Sequence, residues 1–310
     1  MEAEAGKVPE SAGNRVNAAV PDGFFSVRHC FLLRFMVKYE VYMMKGAIDT
    51  NYFAEGLQGS GKSTLVTRLS ALCSGSRVFR EGDYCPTELA WCALTDGEQY
   101  RSIRAKYPEL AAEIEANTYS EGNRKIICYT KIRTENTFLY KDLEQYEIYN
   151  GRLPQEDFRA VILRRFADWN GDSMIFECAL FQNIVTDLLL YRNASGAEIM
   201  AFYREIRDVL ADKDFRIIYL KTENVQESLR AMRKERTDEA GNEVWFSALC
   251  GFFDASPYAK AHGVSGEAGI IAHLEQRQAL ELQICKELFP AQHTVLVSKQ
   301  YTDAELHAAL

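Results

Sequence analysis

Residues 53–64 read FAEGLQGSGKST: three glycines, a lysine and consecutive hydroxyls behind a short apolar stretch. Gly56, Gly59 and Gly61 free the backbone to curl so that successive N–H groups converge, and such a concavity takes anions. Lys62 adds a cation on a stem long enough to reach the β- and γ-phosphates of a nucleotide. Ser63 offers a hydroxyl to Mg2+ and Thr64 offers one to the α-phosphate. The spacing G-x-x-x-x-G-K-[ST] from Gly56 is that of a P-loop. It predicts Mg-ATP held by Gly56, Gly59, Ser60, Gly61, Lys62, Ser63 and Thr64.

Further groups suited to phosphoryl transfer stand downstream. SRVFREGDY ends in Glu81, Gly82 and Asp83, and SMIFECALFQN carries Glu177 at the close of an apolar run. A carboxylate ending a strand can hold Mg2+ directly or through water, so Ser63 and Glu177 are the expected metal pair. Glu81 or Asp83 would orient or deprotonate the acceptor, with Asp83 preferred as lying further into the crevice. Arg230, Arg233 and Arg236 recur every third residue of NVQESLRAMRKER. Converging on the transferred phosphoryl group, they would act in the transition state, and the polar turn after them would close as a lid over 228–246. The alternative is a solvated helix in which they pair with Glu227, Glu235 and Glu239.

These residues need elements to position them. TNYFAEG reads as a strand and LVTRLSALC as a helix, with Leu65, Leu69 and Leu72 at helical spacing. SRVFREGDY, SMIFECALFQN, DFRIIYLKTE and HTVLVSKQYTDAEL supply four more strands, the last followed by a loop, Ser298 to Thr302, that would contact adenine. Alternation of strands with helices predicts one three-layer α/β domain over 47–310 with a mostly parallel five-stranded sheet. Ligands then lie beyond the carboxyl ends of the strands. Residues 84–172, between the second and third of these strands, read as a helical insert. Lys131, Arg133, Tyr129, Tyr140, Tyr146 and Tyr149 in it would form an aromatic wall with a few cations, suited to a planar or phosphorylated acceptor. WFSALCGFFDASPYAKAHGV either fills a core or caps the acceptor site. GIIAHLEQRQALELQICKELF is an amphipathic helix whose His273 and Arg277 read as structural.

Composition removes several classes. The chain has 310 residues, 47% hydrophobic, with a net charge of -8, a pI near 5.4 and a mean hydropathy of -0.25. No basic field draws it to nucleic acid or anionic lipid. Eight cysteines are scattered without zinc spacing, which predicts reduced thiols and a cytoplasmic location. N-K-x-D and L-S-G-G-Q are both absent, which disfavours a GTPase or a transport ATPase and favours ATP over GTP. Residues 1–46 differ from the rest. Their first half is polar and aperiodic, hence expected to be disordered. FFSVRHCFLLRFMVKYEVYMM is broken by Arg28, His29, Arg34 and Lys38, so it is too interrupted for a membrane span or a signal peptide. Glu40-Val41 can be encoded by GAGGT shortly before Met43 and Met44, as at a ribosome-binding site, so the segment reads as a gene-start artefact.

FAEGLQGSGKST resembles the E-G-x-x-G-x-G-K-[ST] loop of thymidylate kinases and their deoxynucleoside kinase relatives. FREGDY resembles their R-E-P segment, and RIIYLKTENVQESLRAMRKER their strand, helix and arginine-bearing lid. The resemblance implies a nucleoside or nucleotide kinase fold using Mg-ATP, with a small acceptor in the crevice. Two departures stand out: FECALFQN lacks the arginine these kinases carry there, and Gly82 replaces their proline. Thymidylate is therefore not carried over as substrate, and the chain reads as an uncharacterised sister family. The expected function is an ATP-dependent phosphotransferase on a small acceptor, such as a nucleoside or nucleotide. The alternative is a nucleotide-dependent switch or ATPase that binds a protein partner.

Overall fold

The computed structural model describes residues 50–310. The expectations for residues 1–46 lie outside the described residues. In chain order the strands are β1 (Asn51–Gly56), β2 (Arg77–Phe79), β3 (Ala93–Asp96), β4 (Thr118–Glu121), β5 (Arg124–Ile127), β6 (Met174–Glu177), β7 (Phe215–Lys221) and β8 (His293–Val297). Five of them make one sheet in the order β2-β6-β1-β7-β8, and every pairing in it is parallel.

β1 is buried along its whole length, as a central parallel strand covered on both faces must be. Its residues alternate between two cores. Phe53 joins Phe176, Ile217 and Trp169 on one face; Tyr52 and Ala54 join Ile175 and Ile218 on the other. Helix α1 (Lys62–Leu72) covers the second face with Leu65, Val66 and Leu69.

The insert departs from the helical expectation. It does contain α2 (Gly97–Lys106), α3 (Ala111–Ala116), α4 (Thr137–Glu144) and α5 (Gln155–Asp168), but β3, β4 and β5 form a second, antiparallel sheet in the order β3-β5-β4. Gly122 and Asn123 make a two-residue turn between β4 and β5, with Gly122 at φ 57°, the chemistry of a tight hairpin. α2 and α4 pack on this sheet through Ile103, Leu139 and Leu143, and Tyr129, Tyr140 and Tyr146 are consumed in the same core. Arg165 of α5 fastens the small sheet by donating Nη1 to both oxygens of Glu121, at 3.0 and 2.8 Å.

After β6 come α6 (Gln182–Thr186), a wide π turn (Asp187–Tyr191) and α7 (Gly196–Val209). After β7 come α8 (Val225–Glu235), α9 (Val244–Ala255), α10 (Pro257–His262) and α11 (Gly266–Leu288). α5, α7 and α11 cover the Phe53 face. α12 (Asp303–Ala308) follows β8 and adds Leu306 to the opposite core.

Phe53 is the pivot of the larger core, stacked on Phe176 at 4.8 Å and meeting Trp169 and Phe215 edge-on at 5.7 Å. Phe53→Ala should destabilise the chain by about 3–5 kcal/mol in urea unfolding. Phe138→Ala, on a side chain 68% exposed, should change stability by no more than about 0.5 kcal/mol.

Candidate active site

The carboxyl ends of the parallel strands open onto a cavity of about 800 Å³, within the size range of small-molecule sites. Residues following β1 (Gly59, Lys62, Ser63), β2 (Glu81), β6 (Glu177, Gln182) and β8 (Lys299) all line it. The backbone carries strain there. Trp91, Asn150, Cys178 and Lys299, four of the six described non-glycine residues with positive φ, are cavity residues. Such conformations persist where surrounding structure enforces them, commonly at functional sites.

The glycine-rich loop forms one wall. Gly56 turns at φ 138°, and a Cβ there would come within 2.6 Å of the Leu220 carbonyl. At Gly59 (φ 74°) a Cβ would collide with Met232, and Gly61 caps α1 at φ 95°. Only glycine fits the first two places. Buried Lys62 donates Nζ to the carbonyls of Gly56 at 2.9 Å and Leu57 at 2.7 Å. Thr64 is also in the wall. Ser60 is wholly buried; its carbonyl accepts the Ser298 hydroxyl at 2.8 Å. The loop after β8 therefore braces the glycine-rich loop, and Lys299 reaches the cavity beside it.

Ser63 donates its hydroxyl to Glu177 Oε1, while Arg80 lies 3.4 Å from Oε2. Glu177 is the last residue of β6 and lies beside Ala54 of β1 in the parallel register. Hydroxyl and carboxylate oxygens meeting at the end of the loop are a hard-donor pair that fits Mg2+ completed by phosphate and water.

The geometry reverses the expected order of the two crevice carboxylates. Asp83 is outside the cavity lining: its Oδ2 accepts the Arg80 N–H at 2.6 Å and its Oδ1 pairs with Lys131 at 2.5 Å. Glu81 is in the cavity, where Oε1 accepts Trp91 Nε1 at 3.1 Å and Gln182 Nε2 at 3.0 Å.

The three arginines do not converge. Arg230 is exposed on α8. Arg233 is held at 2.6 Å by both Glu243 and Glu267 and lies over the Phe246 ring, partners other than the glutamates named from sequence. Arg236 alone lines the cavity, stacked on Trp245 at 4.5 Å. α9 covers the same opening with Trp245, Leu249 and Phe252. Of the expected aromatic wall only Tyr149 lines the cavity, and neither Lys131 nor Arg133 does.

Arg277 on α11, read from the sequence as structural, is buried, and the structure supplies the partners the sequence did not show. It ion-pairs with Glu281 at 3.1 Å, both fully buried, and donates to Thr186 at 3.1 Å and to Gln58 of the glycine-rich loop at 2.9 Å. Tyr219 completes the set by donating to Glu281 at 2.6 Å. The i,i+4 Arg–Glu spacing on an otherwise apolar helix face was the available signal. Glu55, the last residue before Gly56, is also wholly buried. It accepts the Leu180 N–H at 2.7 Å, and burial, reinforced by Glu281, pushes its carboxyl up to about 8.

No protein-family model matches the chain, and a comparison with curated proteins finds no match.

The raised Glu55 carboxyl gives a signed prediction. The folded state holds a proton that the unfolded chain releases near pH 4.5, so the native state is favoured at low pH and loses that advantage as pH rises from about 4.5 towards 8. Between pH 5 and 8 the wild type should lose stability by up to about 1.4 kcal/mol per pH unit more than Glu55→Gln, whose amide cannot ionise. Thermal melts of both proteins across that range measure the difference.

Proposed function

We propose that the chain is an ATP-dependent phosphotransferase acting on the hydroxyl of a small acceptor. The observation that carries the reading is the meeting, on one cavity, of Lys62 and the Ser63–Glu177 pair with a second carboxylate, Glu81, held by Trp91 and Gln182. The glycine-rich loop supplies inward N–H groups and the start of α1 for the phosphates. Lys62 exchanges two carbonyl partners for β- and γ-phosphate oxygens. Ser63 and Glu177 would hold Mg2+, which would supply charge neutralisation on those phosphates.

Glu81 is the acceptor-side base. Its two protein hydrogen bonds both fall on Oε1, which fixes the group and leaves Oε2 to accept the acceptor's hydroxyl proton. The acceptor oxygen bonds to the γ-phosphorus as the bond to the β,γ-bridging oxygen breaks, giving ADP and a phosphate ester. Arg236, on the α8–α9 segment over the opening, stabilises the charge that develops. Trp245, Leu249 and Phe252 exclude water, which limits hydrolysis. A cavity of about 800 Å³ beside the glycine-rich loop favours this reading over a nucleotide-dependent switch.

Mg-ATP should raise the melting temperature of the wild type and leave Lys62→Ala unmoved, as ligand linkage requires. In a coupled assay of ADP release, Glu81→Gln should keep ATP affinity and lose about 10²-fold or more of the acceptor-dependent rate. Asp83→Asn should lose far less. Arg236→Ala should lower kcat by about tenfold or more with little change in ATP binding, whereas Arg230→Ala should match the wild type. Full acceptor-dependent activity in Glu81→Gln contradicts its assignment as base.

A further inference from the structure

Arg277 is wholly buried on α11, and each side of its guanidinium has a partner. Nε faces Glu281 at 3.1 Å, Nη1 donates to Thr186 Oγ1 at 3.1 Å and Nη2 donates to Gln58 Oε1 at 2.9 Å. Thr186 and Gln58 both line the cavity. Thr186 closes α6, the helix that opens with Gln182, and Gln182 Nε2 holds Glu81 at 3.0 Å. One buried cation therefore joins the glycine-rich loop to the helix that holds the proposed base.

The arginine also decides which way Gln58 faces. A guanidinium has donors and no acceptor, so the amide turns its oxygen to Arg277 and its Nε2 away. Among the described residues Nε2 has no hydrogen-bond partner, and it is not sealed in as the unpartnered core groups are. Gln58 itself is half-buried. Donation from Arg277 into Oε1 polarises the amide and strengthens Nε2–H as a donor. Position in the loop says what this donor meets. Lys62 parks its ammonium on the carbonyls of Gly56 and Leu57, the two residues before Gln58. In a loop of this spacing that ammonium belongs to the β- and γ-phosphates, while backbone N–H groups cradle the α- and β-phosphates. Gln58, on the limb where the lysine head sits, is thus placed for the terminal phosphate.

We infer that Gln58 Nε2 donates to a γ-phosphate oxygen and that Arg277 is the positioning residue that aims it. The inference rests on the nucleotide-binding part of the phosphotransferase reading, and it adds how the loop distinguishes a nucleoside triphosphate from a diphosphate. Through Thr186 and Gln182 the same arginine keeps the γ-phosphate contact and Glu81 in one frame.

The test is calorimetric titration of the full chain, in Mg2+, with ADP and with the β,γ-methylene analogue of ATP. The wild type should bind the analogue more tightly than ADP. Gln58→Ala should bind ADP within about twofold of the wild type and the analogue about tenfold or more weaker, the scale of a lost charge-assisted hydrogen bond. Gln58→Glu, which can still accept from Arg277 but offers no donor, should lose the analogue in the same way. Arg277→Lys keeps the charge without the fork. It should weaken the analogue selectively in the wild type and add nothing to Gln58→Ala, whereas an arginine that only supports the fold costs the same in both backgrounds. Should that buried variant fail to fold, the two Gln58 variants decide the matter. Unchanged analogue affinity in Gln58→Ala, or equal weakening of both nucleotides, would overturn the inference and leave the phosphotransferase reading standing. A wild type that binds neither nucleotide would contradict that reading and take the inference with it.

Discussion

The site depends on a backbone turn that only glycine can make. β1 is the central strand of the sheet, and at Gly56 its chain must leave the sheet against the Leu220 carbonyl of β7. A side chain there meets that carbonyl at 2.6 Å, closer than packed atoms come. Gly59 is constrained differently, by its φ of 74° and by the Met232 side chain of α8 packed against it. With these two contacts satisfied, the loop is seated between the sheet and the helix that leads to the cavity's cover. α1 then starts where its amides face the crevice, and Ser63 falls beside Glu177. Parallel pairing sets the rest: since Ala54 is in register with Glu177, the metal-type carboxylate arrives at the loop through sheet register rather than through any local motif.

A second layer of fixed polar groups supports that turn. Arg277, Glu281 and Tyr219 are buried together, and the arginine reaches Gln58 within the loop. Glu55, immediately before the loop, is held by the Leu180 amide, which follows Glu177 by three residues. Buried ionic sets of this kind add little net stability, but removal of one partner is expensive. Their role here is to hold the loop and the end of β6 in one arrangement. The positive φ values at Cys178 and Lys299, on either side of the loop, show the surrounding framework holding backbone that would relax if isolated.

Much of this was legible in the sequence, for identifiable reasons. β1, the glycine-rich loop, α1 and Glu177 as the residue that closes an apolar strand follow from local chemistry that survives folding, and the strand–helix alternation leads to a parallel sheet flanked by helices. The insert was misread because Thr118–Glu121 and Arg124–Ile127 are strands of four residues each, too short for alternation to outweigh helical spacing in their neighbours. The Gly122-Asn123 turn was the informative signal. Asp83 was preferred to Glu81 on chain position alone, whereas the turn at Arg80–Asp83 folds the aspartate back towards Lys131. The arginine triplet fails for a geometric reason: on a helix of 3.6 residues per turn, positions three apart drift by about 60° each. Arg230 therefore points to solvent, Arg233 to the neighbouring glutamates and Arg236 to the cavity. Arg277 also reaches Thr186 and Gln58, partners distant in sequence, which no local pattern encodes.

The central claim is that the loop from Gly56 to Thr64 is a phosphate cradle with Lys62 parked on its own carbonyls. A crystal structure with Mg2+ and a non-hydrolysable ATP analogue tests it most directly. The account predicts β-phosphate oxygens within about 3 Å of the backbone N–H groups at the start of α1, and Lys62 Nζ moved from the Gly56 and Leu57 carbonyls onto the phosphates. A bound nucleotide elsewhere on the molecule, with Lys62 still donating to those two carbonyls, would contradict it.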